Sequence, residues 1–297
     1  MSREKQLSCL YTLSNRGSRN YRRVTIDKKD GGRRTLLVPC GLLKGVQRNI
    51  LHHVLDERPV PPCAQAYRKG TDIRGNASCH LGKKLVLKLD ISHFFDSILF
   101  PRVYGAAFPE TLFPPAAAML LTSLCCCNER LPQGSPASPA ISNLVMRPFD
   151  IYMDGWCRER GIDYTRYCDD MTFSGDFDAA ALCSKVRSYL EAMGFTLNEK
   201  KTKLLTGDVR QSVTGIVVND KLQVSREYRK KLRQEVYYCK KYGINAHLER
   251  VEADTGIRWE KERYICSVQG RLRFVLQVNP QDDEFAGYCR EWKELFM

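Results

Sequence analysis

The sequence predicts an α+β fold organised around a split βαβ sheet, and two observations carry that expectation. From Lys84 onward the hydropathy pattern runs strand, helix, strand, strand, helix, strand. Within that order, Tyr167-Cys168-Asp169-Asp170 lies between two short runs rich in β-branched and aromatic residues, Ile162 to Tyr167 and Met171 to Phe173, so its acids fall at a hairpin tip. A third acid, Asp90, closes the alternating segment Lys84-Leu85-Val86-Leu87-Lys88-Leu89. In a split βαβ sheet the end of the first strand lies beside the central hairpin turn, so Asp90 and Asp169-Asp170 are expected to meet. Carboxylates that close repel unless a cation offsets them. The expected site is therefore one for divalent metal and phosphoryl transfer.

The elements follow in order. Lys28-Lys29-Asp30-Gly31-Gly32-Arg33-Arg34, then Leu36 to Pro39, fit a hairpin with cations at its tip. Leu43 to Leu55 has helical periodicity, with His52 and His53 as surface or packing residues. After the strand ending at Asp90, Phe94-Phe95-Asp96-Ser97-Ile98 enters a helix or turn. A mostly helical stretch from Pro101 to Cys127 leads to the loop Leu131 to Pro136 and a helix from about Pro139 to Arg158. Past the acidic hairpin, Asp176 or Asp178 caps a helix from Ala179 to Met193, which stops at Gly194. Phe195-Thr196-Leu197 resumes as strand, and Ser212 to Val224 reads as a hairpin turning at Asn219-Asp220. A basic helix spans roughly Arg226 to Tyr242. The second acid pair, Asp282-Asp283, sits in a turn-like polar stretch and reads as solvated surface.

Composition narrows the function classes. The 297 residues are 43% hydrophobic, enough for two or three compact lobes. The longest nearly apolar stretch, Pro114 to Cys127, is shorter than the roughly 18 residues of a membrane span, and no apolar signal core follows Met1. A soluble, cytoplasmic protein without membrane partners is expected. Lys and Arg exceed Asp and Glu by 47 to 34, for a net charge of +13, which favours a polyanionic partner. Between Lys221 and Gly243, eight Lys or Arg are interleaved with Tyr228, Tyr237, Tyr238 and Tyr242, a pattern suited to phosphate contact and base stacking. The thirteen cysteines are scattered without C-x-x-C spacing and read as reduced thiols. Cys125-Cys126-Cys127, on an apolar helical segment, cannot all face one ion and read as buried thiols.

Leu89-Asp90-Ile91 with Phe94 to Ile98, Pro132-Gln133-Gly134-Ser135-Pro136, Tyr167 to Asp170, and Asn198 with Lys201-Thr202 occur in an order that resembles a reverse transcriptase. Asn76-Ala77-Ser78-Cys79-His80 and Val213-Thr214-Gly215 resemble the N-A-x-x-H and V-T-G elements of bacterial retron reverse transcriptases, so the retron type is favoured. Group II intron-like or diversity-generating reverse transcriptases are the nearest alternative, and an inactive RNA-binding scaffold is the alternative of another class.

The resemblance implies a right-hand polymerase fold with fingers, a split βαβ palm and a short mainly helical thumb. Residues 1–83 would form the N-terminal part of the fingers, 84–100 the first palm strand, 101–138 a fingers–palm connection, 139–220 the remaining palm and 221–297 the thumb. It further implies two Mg²⁺ ions, with Mn²⁺ as a substitute, held by Asp90, Asp169, the Ile91 carbonyl and, least directly, Asp170. Arg34 with either Lys28 or Lys29 would bind the triphosphate of a deoxynucleotide. Backbone at His93 and Phe94 would cradle phosphate, Phe95 would exclude a 2′-hydroxyl, Gln133 would line the nucleotide pocket and Lys201 would act on departing pyrophosphate. RNA contacts would come from Asn76, His80, Val213, Thr214 and Gly215, and from Arg229, Lys230, Lys231 and Arg233 on the basic helix. The implied partners are a cognate structured noncoding RNA, its RNA-DNA hybrid, host ribonuclease H and an effector protein. Cys168, where the family commonly has Ala, is expected to confer oxidation sensitivity.

Overall fold

The computed structural model describes residues 2–27 and 31–296. In chain order the elements are α1 (Arg3–Asn15), β1 (Tyr21–Asp27), β2 (Arg33–Pro39), α2 (Gly41–Ile50), α3 (Ile73–Ser78), β3 (Leu85–Asp90), α4 (Phe100–Ala107), α5 (Pro115–Cys125), α6 (Ser138–Arg158), β4 (Asp163–Tyr167), β5 (Asp170–Gly175), α7 (Ala179–Ala192) and β6 (Lys203–Thr206). They continue with β7 (Ser212–Val213), β8 (Ile216–Val217), β9 (Gln223–Val224), α8 (Arg226–Tyr242), α9 (Ile244–Thr255), α10 (Lys261–Val278) and α11 (Asp283–Phe296). No described helix is long and apolar enough to cross a membrane.

The chain forms two compact units. The first holds the residues up to Thr71 and Leu85–Leu204; the second holds Asp72–Lys84 and the residues from Leu205 on. The sheet of the first unit has the order β4-β5-β3-β6, and β6 is where the chain passes into the second. Alternation in β3 buries Leu87 and Leu89 in the same core as α6, whose face of Ile141, Val145, Phe149 and Met153 is almost fully buried at helical spacing. Tyr164 of β4 and Phe173 of β5 stack at 4.7 Å between ring centroids. Asp178, not Asp176, caps α7, accepting from the amides of Ala180 and Ala181 at 2.8 and 3.1 Å.

The hairpin β1-β2 pairs Tyr21 with Pro39 through Asp27 with Arg33. It docks on the Pro132-Gln133-Gly134-Ser135-Pro136 loop through the Leu37 amide, which donates to the Gln133 carbonyl at 2.7 Å. Gly134 makes that approach possible. Its φ is +124°, and a Cβ there would lie 2.8 Å from the Leu37 carbonyl oxygen. Beneath the loop, fully buried Gln47 accepts from the Ser135 hydroxyl and donates to the Tyr21 hydroxyl and Leu124 carbonyl, each at 2.8 Å. A buried amide so satisfied specifies one arrangement of hairpin, loop and α5.

In the second unit α3 packs on the β7-β8-β9 sheet, and α8 buries Leu232, Val236 and Cys239 at helical spacing. Trp292 of α11 is 1% exposed and donates to the Ile265 carbonyl of α10 at 3.3 Å.

Three local expectations are corrected. Phe195-Thr196-Leu197 contributes only an isolated bridge from Leu197 to Ile91, because Asn198 turns to bond Asp90 and the ladder resumes at β6. Ser212 to Val224 is a three-stranded meander: β8 and β9 form the hairpin expected around Asn219-Asp220, and β7 adds a third strand through a second turn. Thr214 and Gly215 both have positive φ, +48° and +85°, and form a two-residue turn closed by the pair Val213 and Ile216. Asp282 is buried, capping α11 by accepting from the Phe285 amide at 3.3 Å and meeting Arg229 at 2.9 Å. A short acid before a helix has an unpaired amide to satisfy, which draws it out of solvent.

Candidate active site

The antiparallel pairing of β3 with β5 sets Asp90 opposite Asp170, and the β4-β5 pairing closes on Tyr167 and Asp170 around the two-residue turn Cys168-Asp169. The two acidic motifs therefore meet as the alternation and turn signals predict. Asp90 is 4% exposed. Its Oδ2 lies 2.8 Å from Lys201 Nζ, its Oδ1 accepts from Asn198 Nδ2 at 3.1 Å, and its carbonyl accepts from the Asn198 amide at 2.8 Å. The Ile91 amide donates to the Asp169 carbonyl at 3.2 Å, tying the strand end to the turn.

The electrostatics match this crowding. Asp170, the first residue of β5, keeps an exposed side chain, yet desolvation by the protein packed around it, then the charges of Asp169 and Asp90, push its pKa up to about 6, with Lys88 and Lys201 opposing. The hydrogen bond to Asp90 raises the Lys201 pKa, with the charges of Asp90, Asp169 and Asp170 adding to it, so the ammonium stays charged. Among the described residues no three carboxylate, thiol or imidazole groups are arranged to hold one ion. Asp90 spends its oxygens on Lys201 and Asn198 instead. The donor chemistry nonetheless fits a hard divalent cation: carboxylates and a main-chain carbonyl, all oxygen, around negative charge that Lys201 offsets only in part.

A cleft of about 570 Å³ opens over this turn, wholly within the first unit. Asp90, Ile91, Asp169 and Lys201 line it together with Arg34, His93, Phe94, Phe95 and Gln133, so nine residues picked from sequence share one cavity. Asp169, not Asp170, lines the cleft. Phe94 is core at 3% exposure and packs edge-on to Phe95, which is half-buried. Lys28 and Lys29 lie outside the described residues. Sequence reasoning missed Arg23 and Arg33, which add cations to the same wall, and gave Asn198 no role although it holds Asp90 at two points. The Arg33-Arg34 doublet was the available signal.

The other predicted residues lie in the second unit. Asn76 Nδ2 reaches Thr214 Oγ1 at 3.4 Å, joining two elements distant in sequence. Asn76, His80 and Val213 are at most 1% exposed, leaving Thr214 and Gly215 to present the surface of this element. On α8, Lys230 and Lys231 are exposed, but Arg229 and Arg233 are not free cations. Arg229 pairs with Asp282 and Glu284, Arg233 pairs with Glu284, and both guanidinium groups stack over Phe285, so they fasten α8 to α11. The expected oxidation sensitivity of Cys168 is also corrected. Its side chain is buried against the Tyr67 hydroxyl, and burial, then the Asp169 charge, push its thiol up to about 12, which disfavours the reactive thiolate.

Comparison with known proteins agrees with this geometry. Residues 26–244 match the family described as "Reverse transcriptase (RNA-dependent DNA polymerase)". The Retron Mx65 reverse transcriptase of Myxococcus xanthus is 35% identical over 90% of this chain and 63% of its own length. The Retron Ec86 reverse transcriptase of Escherichia coli is 32% identical over 87% of this chain and 77% of its own. The chain thus spans just under two thirds of the first relative and about three quarters of the second. A solved structure of telomerase from Candida albicans with a fragment of telomeric RNA covers 92% of this chain and 63% of that one, at a TM-score of 0.50 and 11% identity, a likeness of fold alone. Matches of this extent, above 30% identity along most of the sequence, mean that the chain belongs to the reverse transcriptase (RNA-dependent DNA polymerase) family, on its bacterial retron branch.

Proposed function

We propose that the chain copies part of a cognate structured noncoding RNA into branched, RNA-linked single-stranded DNA (msDNA), primed from a guanosine 2′-hydroxyl, in the bacterial cytoplasm and as part of an antiphage system. The observation that carries the polymerase reading is the single cleft with Asp90 and Asp169 on one wall and the cations Arg23, Arg33 and Arg34 on another. A nucleoside triphosphate matches both: its reacting phosphate belongs at the acids and its charge at the arginines. The retron reading rests on the relatives and on the joined Asn76 and Thr214 elements.

Each residue then has a task. Arg34 grips phosphate oxygens with its planar fork. The main chain of His93 and Phe94, turned by a φ of +48° at His93, follows the phosphates. Phe95 lies under the sugar, where a 2′-hydroxyl would collide with its ring, and Gln133 contacts the nucleotide from the loop fixed by Gly134. Members of the family use divalent metal ions. A pair of Mg²⁺ ions, replaceable by Mn²⁺, would be held by Asp90, Asp169 and the Ile91 carbonyl, with Asp170 behind them, and would activate the primer hydroxyl and offset charge on the leaving pyrophosphate. Asn198 keeps Asp90 in place. Lys201 moves from Asp90 to the departing pyrophosphate, which it stabilises or protonates.

In this reading the first unit supplies most of the fingers and palm. The second supplies the thumb from residue 221 on, together with residues 72–83 of the fingers and 205–220 of the palm, and binds structured RNA through Lys230, Lys231 and the Thr214-Gly215 turn, by shape, phosphate and 2′-hydroxyl contacts. A host ribonuclease H removes template RNA, and a separate effector protein carries the defence output. The test is sequencing of nucleic acid bound to the purified protein, combined with primer extension on it in Mg²⁺. A small branched RNA-DNA species and templated DNA synthesis are expected; a bound intron RNA, or no synthesis, would overturn the retron or the polymerase part respectively.

A further inference from the structure

Arg166 is the one fully buried arginine side chain among the described residues, and none of the tasks above uses it. It stands on β4 immediately before Tyr167, in a strand whose neighbours Tyr164 and Thr165 are also buried. Its Nε donates to Asp150 Oδ1 at 2.8 Å, and one terminal nitrogen reaches Asp150 Oδ2 at 2.5 Å and Asn143 Oδ1 at 3.1 Å. The other terminal nitrogen donates to the carbonyl of Cys168 at 2.9 Å. Asp150, equally buried on α6, also accepts from the Tyr164 hydroxyl at 2.9 Å. The Arg166 main chain is fixed as well, its amide donating to the Cys63 carbonyl and its carbonyl accepting from the Gln65 amide, both at 2.8 Å.

The carbonyl it holds belongs to a strained residue. Cys168 has a φ of +64°, in the left-handed region that side chains with a Cβ avoid, and it directly precedes Asp169. A turn of that kind persists only where surrounding bonds over-determine it. Fold stability alone does not require an ion pair here, since a well-packed apolar pair of similar volume commonly serves a core as well. The guanidinium's rigid fork can span Asp150 and the Cys168 carbonyl at once, whereas a lysine ammonium, a single point on a flexible stem, cannot match that geometry.

We propose that Arg166 is a positioning residue for the catalytic turn: locked on α6 by Asp150 and Asn143, its guanidinium holds the Cys168 carbonyl and thereby sets where the Asp169 carboxylate points. This inference rests on the reading of Asp169 as a catalytic metal-binding carboxylate. The chemical consequence is specific. Loosening the anchor lets the carboxylate drift from its ligating position, while the cleft wall that binds nucleotide, from Arg34 to Gln133, stays as it is.

The test compares Arg166→Lys, which keeps the charge, with the paired replacement Asp150→Asn and Arg166→Met, which removes both charges and leaves an acceptor for Tyr164. Loss of such an outer anchor typically costs about 10–100-fold in metal affinity or activity. Both variants should show a fall of that order in kcat with the nucleotide KM within about twofold of the parent. Manganese affinity, read by electron paramagnetic resonance titration of the protein without substrate, should weaken by a similar factor. Thermal melting of the paired variant should stay within a few degrees of the parent. A merely structural role predicts the reverse, melting changed and the manganese affinity and kcat of the folded fraction unchanged, and that result would overturn the inference. If the paired variant does not fold, Arg166→Lys decides on the same readouts. Asp169→Asn run in parallel separates the two readings: if it retains synthesis the catalytic assignment fails by itself, and if it abolishes synthesis while both Arg166 variants match the parent, only the positioning role fails.

Discussion

Lys201 Nζ rests 2.8 Å from Asp90 Oδ2, across a site where Asp169 and Asp170 add further negative charge. The ammonium partly offsets a carboxylate cluster that a divalent cation would neutralise more fully. Lys201 therefore has two partners in the proposed reaction, Asp90 before nucleotide binds and the pyrophosphate afterwards.

The turn carboxylate is the sharpest test. Asp169→Asn should reduce DNA synthesis by about 10⁴-fold, a loss typical of removing one member of a catalytic unit, with RNA affinity unchanged. Single-turnover primer extension and filter binding measure the two. Synthesis within tenfold of the parent would remove Asp169 from the chemistry.

Asp170 makes stability depend on pH in a stated direction. Its pKa is raised from 3.8 to about 6 in the folded protein, so the folded state holds its proton more tightly than the unfolded chain does. The stabilisation from that proton is full below about 3.8 and is lost as the pH rises to about 6. In metal-free buffer, Asp170→Asn should therefore gain melting temperature relative to the parent between pH 4 and pH 7, as about those limits bracket the titration. Parallel melting curves over that range would contradict the assignment.

Phe94 and Phe95 both line the cleft, but Phe94 is core beside Phe195 and Phe95 is only half-buried. Phe95→Ala should raise ribonucleotide incorporation relative to deoxynucleotide, by roughly the 10–200-fold that reshaping an apolar pocket achieves, with little change in folding. Competitive incorporation assays read the ratio. Discrimination equal to the parent's would place the gate elsewhere.

Cations on α8 fall into two groups. Replacing Lys230 and Lys231 with Ala should lower RNA affinity and reduce the slope of log affinity against log salt by between one and two, since each phosphate contact contributes about 0.7–0.9. Arg233→Ala should instead cost stability, up to about 1 kcal/mol for its partly exposed pair with Glu284. An unchanged salt slope for the lysine pair would move the RNA off this face.

Gly134 couples the loop to the β1-β2 hairpin. Gly134→Ala places a Cβ against the Leu37 carbonyl at a φ of +124°, so a loss of about 1–3 kcal/mol is expected together with weaker nucleotide binding, because the hairpin carries Arg34. Denaturant unfolding and nucleotide KM measure the two effects. A variant as stable as the parent would show that the hairpin yields at no cost.

Much of the site was legible because its signals are local. Alternation in Leu85–Asp90 and the turn at Cys168-Asp169 each follow from neighbouring residues, and the order of strands and helices brings them together. Signals that depend on distant partners were not legible. Arg229 and Arg233 look like their lysine neighbours until α11 brings Glu284 to them, and Asp282 looks solvated until Arg229 and the start of α11 claim it.

The sequence by itself determined the acidic turn, the strand that faces it, the basic helix and the family, because periodicity, turn chemistry and motif order are properties of short stretches read in succession. Tertiary structure alone decided which charges remain available. Arg166 and Arg229 carry the same formal charge as Arg34, yet burial against Asp150 and pairing with Asp282 commit the first two to the fold, while Arg34 stays exposed in the cleft. The physical reason is that a charge removed from water must find its counter-charge within the protein, and only the folded chain determines where that partner stands.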